Sequence, residues 1–226
     1  MLKNKIAQLR EILVSQATLV EKMLAKSIKG LLENNKAVLD EIISIDEKTV
    51  NRMEIQIDEL CTNILALYHP EAKDLRMTLM MSKMTSDLER LGDCVVNIAE
   101  SGIEILQSPI MYSYDDLNIM AEEAIEMVRD SIRAFIDEHA QLAKDVCRRD
   151  EKVDGLRDKI MRELIIIVFD EPKTIEKALH ILRIANNLEK IADVSTNIAE
   201  ETVFITDGFT IKHHAHDALD QSAARG

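Results

Sequence analysis

The sequence predicts an all-α protein built as two tandem three-helix bundles. Three observations carry this. Gly and Pro number only 6 and 3 in 226 residues, and aromatics make up 3% with no Trp, a composition that starves turns and strands. Leu, Ile, Val, Ala and Met recur at helical spacing through most of the chain. And Leu88-Glu89-Arg90-Leu91-Gly92-Asp93-Cys94-Val95-Val96-Asn97-Ile98-Ala99-Glu100 returns as Leu188-Glu189-Lys190-Ile191-Ala192-Asp193-Val194-Ser195-Thr196-Asn197-Ile198-Ala199-Glu200, with 7 of 13 positions identical. A motif repeated 100 residues later marks an internal duplication.

The first helix runs from Ile6 to Leu32, with apolar residues at Ile6, Leu9, Leu13, Ala17, Val20, Leu24, Ile28 and Leu31. The Asn34-Asn35 pair permits a turn. The second spans Lys36 to Tyr68, with a break expected near Ser44-Ile45-Asp46 and Asp46 as the N-cap of the new turn. Pro70 stops it, because the residue before a proline is pushed out of helical geometry. The third helix, Ala72 to Leu106, carries the motif and ends before Ser108-Pro109. Residues 108–114 read as a linker, and Asp115-Asp116 as the cap of the next helix. The second half then follows the first. Ser27–Glu33 matches Ser131–Asp137 and Asp46–Lys48 matches Asp150–Lys152, both offset by 104; Val50 matches Val153 at 103 and Glu89 matches Glu189 at 100. Small deletions account for the drift, the larger one at the loop around Pro70 and Pro172. The units are therefore 1–107 and 115–206, followed by a polar tail, 207–226, that contains His213, His214 and His216.

The formal net charge is −13. Such a surface repels nucleic acid and anionic lipid, and favours cations and basic protein surfaces. The longest apolar run, Leu164 to Phe169, is far too short to span a bilayer, and the amphipathic N-terminus does not read as a signal peptide. Cys61, Cys94 and Cys147 form no CxxC and read as buried free thiols. Met77, Met80, Met81 and Met84 read as core filling.

Chemistry is expected on the acidic stripes. Glu89, Asp93, Asn97 and Glu100 stand at i, i+4, i+8 and i+11, within roughly 80° on one helix face. Glu189, Asp193, Asn197 and Glu200 repeat the pattern, and no Lys or Arg interrupts those positions in either copy. The second helix has Glu47, Asn51, Glu54 and Asp58 at comparable spacing. Its counterpart begins Asp150, Asp154 and continues with Arg157 and Met161. Facing stripes would converge about eight oxygen-bearing side chains, a donor set for hard cations. The bland alternative is the solvated face of an amphipathic helix. The scattered His69, His139 and His180 organise no site. No Glu-x-x-His, Walker A loop, Gly-x-Gly-x-x-Gly or Gly-x-Ser-x-Gly occurs, which counts against ferritin-like, nucleotide-binding and hydrolase readings.

Leu88–Asp93, preceded by Pro70-Glu71-Ala72-Lys73-Asp74-Leu75-Arg76, together with Asp46 to Asp58, resembles the PhoU family of phosphate-uptake regulators over nearly the whole chain. The resemblance implies two three-helix bundles side by side in a cytoplasmic protein, often a homodimer, with no catalytic activity of its own. It implies restraint of the phosphate-starvation response, through the ATPase of the phosphate ABC transporter and the phosphate-sensing histidine kinase. The net charge and the short apolar runs add the expectations of no nucleic-acid partner and no membrane insertion. The resemblance also implies metal binding (iron, manganese, zinc or magnesium) at acidic motifs, which here are Glu89/Asp93, Glu189/Asp193 and Asp150/Asp154. The remaining motif reads Glu47/Asn51, one charge short. A plain helical scaffold, whose acids only keep it soluble, is the competing expectation.

Overall fold

The computed structural model describes residues 1–107 and 112–207. Its order is α1 (Leu2–Leu32), α2 (Lys36–Glu41), a π-helical turn (Ile42–Asp46), α3 (Glu47–Tyr68), α4 (Ala72–Gln107), α5 (Asp115–Ile136), α6 (Ala140–Asp170), a 3-10 turn (Pro172–Thr174) and α7 (Ile175–Asp207). No strand occurs among the described residues. The linker expected at 108–114 falls partly, and the tail histidines wholly, outside them.

The two halves turn their first corners alike. Asn34 and Glu138 take positive φ of 53° and 50°. Asn35 then caps α2 by accepting from the Val38 amide, and His139 caps α6 by accepting through Nδ1 from the Leu142 amide. His69, at φ 44°, ends α3 immediately before Pro70.

The expected break at Ser44-Ile45-Asp46 does not occur. The helix passes through Ile42–Asp46 as a π turn, and Asp46 makes no side-chain cap. The π turn holds the one extra residue of the first half. Ile42 and Val146 are both fully buried, offset by 104, while Val50 and Val153, then Ile57 and Ile160, are buried at offset 103. So Glu47, not Asp46, is the structural counterpart of Asp150, and the match of Asp46–Lys48 to Asp150–Lys152 is displaced by one residue. Asp46 instead pairs with Lys26 of α1 at 2.8 Å. The cap expected from Asp115-Asp116 is also absent. Tyr114 holds the N-cap position without a side-chain bond, Asp115 accepts from Ser113 Oγ, and Asp116 pairs with Lys159.

In each half the long helices pack as a bundle, α1 with α3 and α4, and α5 with α6 and α7; the halves meet through α1 against α5 and α4 against α7. One continuous apolar core runs through both. Met77, Met81 and Met84 are buried in it and Met80 is half-buried. Helices α4 and α7 cross antiparallel. Lys83 of α4 pairs with Glu201 of α7, and Arg183, its repeat mate on α7, pairs with Glu100 of α4 at 3.0 Å. These reciprocal pairs relate the halves by an approximate two-fold axis through the α4–α7 seam.

Candidate functional site

Each acidic face is built by a pair of neighbouring helices. In the first half, α3 presents Glu47, Asn51, Glu54 and Asp58, and α4 presents Glu89 and Asp93. Burial, then the negative charges of Asp93, Glu54 and Glu47, push the Glu89 carboxyl above the usual range, and Arg90 opposes them. Across the helix pair, Ser86 Oγ donates to Glu54 at 3.2 Å and Ser82 Oγ to Asp58 at 3.1 Å. In the second half, α6 presents Asp150 and Asp154, and α7 presents Glu189 and Asp193. Burial, then Asp193 and Asp154, push Asp150 up to about 6, although Thr196 donates to it. Glu189 and Asp193 are raised as well, by burial first and neighbouring carboxylates second; Arg157 opposes the shift at Glu189. At offset 103 Arg157 stands where the first half has Glu54.

The far end of the first motif stripe is drawn away from its cluster, whereas that of the second stays near it. Arg183 donates to Asn97 Oδ1 and Glu100 Oε2, tying both into the α4–α7 seam. Glu200 lies beside Cys147, where burial, then Glu200 and Asp150, push the thiol up to about 12. Asn197 faces a groove of about 560 Å³ at the centre of the seam, lined by Arg90, Asp93, Cys94, Lys190, Asp193, Val194 and Thr196. That groove brings the second acid of each motif, Asp93 and Asp193, to one opening, which Arg90 and Lys190 also line. Repetition of the motif signalled two equal sites; the shared groove follows from the antiparallel crossing, which no local pattern encodes. The cysteines are free, but only Cys61 is fully buried; Cys94 and Cys147 are half-buried.

Among the described residues no three His, Cys, Asp or Glu side chains are grouped tightly enough to hold a metal ion. Packed helices in general stand about 8–10 Å apart axis to axis, and here serine, threonine or arginine partners take several of the carboxylates. In chemistry the donors still fit a hard cation: Glu47, Glu89 and Asp93 with Asn51 in one half, and Asp150, Asp154, Glu189 and Asp193 in the other, are oxygen-only sets in which negative charge is in excess.

The matching sequence family is the PhoU domain, which matches twice, over residues 13–102 and 117–202. The chain belongs to the PhoU family. The phosphate-specific transport system accessory protein PhoU homolog of Aquifex aeolicus is 36% identical over 210 residues, 93% of this chain and 95% of that protein. The PhoU accessory protein of Escherichia coli K12 is 30% identical over 97% of this chain and 91% of its own. The crystal structure of PhoU from Pseudomonas aeruginosa superposes with a TM-score of 0.89 at 29% identity, over 92% of this chain and all of that one. The phosphate transport system regulatory protein PhoU of Streptococcus pneumoniae superposes with a TM-score of 0.86 at 25% identity, over 94% of this chain. The two matched segments of the PhoU domain fall on the two helix sets described above. No described helix is long and apolar enough to cross a membrane.

Proposed function

We propose that this chain is a cytoplasmic regulator of phosphate uptake that restrains the phosphate-starvation response. The observation that carries the coarse part, regulation of phosphate transport, is PhoU-family membership over both repeats, with a relative 36% identical across nearly the full length. In the finer reading the protein is a non-enzymatic adaptor between the ATPase of the phosphate ABC transporter and the phosphate-sensing histidine kinase, working as a homodimer. Its acidic faces take divalent or trivalent cations, with iron, manganese, zinc and magnesium as candidates. Glu89 and Asp93 with Glu47 and Asn51, and Glu189 and Asp193 with Asp150 and Asp154, would hold them. A bound cation would supply positive charge to carboxylates that burial first and neighbouring acids second have raised.

Deleting the gene tests the regulatory reading: phosphate-starvation genes should be derepressed in phosphate-rich medium, and unchanged phosphate control sinks it. The metal reading is tested by thermal melts of the parent and of the double variant Asp93→Asn/Asp193→Asn, with chelator and with manganese, iron or zinc. Added metal should raise the parent's Tm and not the variant's. The plain-scaffold alternative is favoured by the lack of any tight trio of ligands among the described residues. A parent Tm indifferent to every metal decides for it.

A further inference from the structure

The acidic face of the second half does not end at Asp154 and Glu189. Ile165 is 11 residues beyond Asp154 on α6, and Ala178 and Leu182 are 11 residues before Glu189 and Asp193 on α7. Eleven residues bring a helix back to within about 20° of the same direction, about 16 Å along its axis. Acids and apolar residues therefore share one outward face of the α6–α7 pair. The apolar end is an open groove of about 220 Å³ lined by Ile165, Val168, Ile175, Ala178, Leu179 and Leu182. Ile165, Ile175 and Leu179 are 60%, 54% and 58% exposed, and Phe169 beside them is 86% exposed. The repeat provides an internal comparison. The first half keeps an apolar α4 wall at Leu75 and Leu79, but its α3 wall reads Thr62, Asn63 and Ala66 where α6 has Ile165, Ile166 and Phe169. The same bundle folds with polar or small residues there, so packing within the chain does not require the three large ones.

From this face we propose a docking site for a basic amphipathic helix of a partner protein. Its apolar turns seat between Ile165 and Leu179, and its Lys or Arg residues, about 11 positions further along, meet Asp150, Asp154, Glu189 and Asp193. Charge chooses the occupant. A second copy seated on this face about a two-fold axis would set these four acids against themselves, and an anionic bilayer would likewise bring negative charge to them. Arg157 and Lys190 both act on Glu189 and offset part of the charge, and the four carboxylates leave the face net negative. Burying exposed aliphatic side chains supplies the affinity, and the acids set orientation and register. The proposal rests on the adaptor reading only in expecting a protein partner, and needs no metal.

The probe is a synthetic helical peptide of about 18 residues, with Leu on one face of its first two turns and Lys on the same face about 11 residues later. Binding to the full-length chain is read by fluorescence anisotropy in chelator, beside a scrambled peptide of equal composition. The parent should bind the patterned peptide at least about tenfold more tightly than the scrambled one, with affinity falling as salt rises. Leu179→Asp and Ile165→Asp, at exposed positions, should each weaken binding at least about tenfold with unchanged circular dichroism. Asp154→Asn/Glu189→Gln should weaken it several-fold and flatten the salt dependence, and Leu79→Asp in the first half should leave it unchanged. No preference over the scrambled peptide, or equal losses from Leu79→Asp and Leu179→Asp, overturns the proposal. So does self-association that Leu179→Asp abolishes, or Leu179-dependent binding to anionic vesicles without peptide binding. Peptide binding can fail while the deletion phenotype stands, so the two readings fall separately.

Discussion

Replacing Asp150 by Asn should stabilise the metal-free protein at neutral pH, and the gain should vanish in acid. Asp150 sits between α6 and α7 with Asp154, Glu189 and Asp193 around it, and burial with these charges moves its carboxyl from an ordinary 3.8 to about 6. A carboxyl raised on folding contributes stability that is complete below about 3.8 and is lost as pH rises through about 6. Above that, ionised Asp150 is a cost. Two units at about 1.36 kcal/mol each bound the cost at about 3 kcal/mol. The group is only partly buried, and solvent screening brings this to roughly 1–2 kcal/mol. Asn keeps the acceptor for Thr196 and cannot ionise. In urea unfolding with chelator, Asp150→Asn should exceed the parent by about 1–2 kcal/mol at pH 7.5 and by about half that at pH 5, and should match it near pH 4. The Tm at pH 7.5 should rise by about 2–6 °C. A gap that ignores pH, or a variant less stable at pH 7.5, would refute the electrostatic account of the cluster.

Deleting Ile45 from the π turn should convert it to regular α-helix and leave α3 in register, with Tm within a few degrees of the parent. Deleting Arg148 from regular α6 turns everything beyond it by about 100°, drives Val153, Ile160 and Leu164 off the core, and should abolish cooperative melting. Despite its burial, hydrogen bonds from Lys152 and Arg149 hold the Glu123 carboxyl below the usual range, and Arg149 also reaches Glu126 and Asp130. Arg149→Leu leaves Glu123, 8% exposed, with half its counter-charge, and should cost about 2–4 kcal/mol in urea unfolding at pH 7. Gly155 lies inside α6 with nothing near the space a Cβ would fill, so Gly155→Ala should add about 0.5–1 kcal/mol and raise Tm by about 2–3 °C.

Much of the fold was legible in the chain because helices are specified locally. Buried Leu9, Leu13, Val20 and Leu24 are the periodic residues of α1, and Pro70 marks a real boundary. The duplicated motif identified α4 and α7 as equivalents, since burial recurs at offset 100 from Leu88/Leu188 through Ile98/Ile198. The acids at Glu89, Asp93, Glu189 and Asp193 do stand on outward faces beside the acids of α3 and α6.

The tertiary structure decided what those faces meet. A π turn costs one residue and no interruption of the helix, so spacing alone misread it as a break and misaligned Asp46 with Asp150. Asn97 and Glu100 look equivalent to Glu89 and Asp93 on a helix drawn by itself. Once α7 crosses α4 antiparallel, Arg183 lies against them and claims both. The same crossing sets Asp93 and Asp193 on one groove. Period and composition determine which side of a helix turns outward; which charges lie opposite depends on the axial register of helices about 100 residues apart in sequence, and that register is chosen by the shared core.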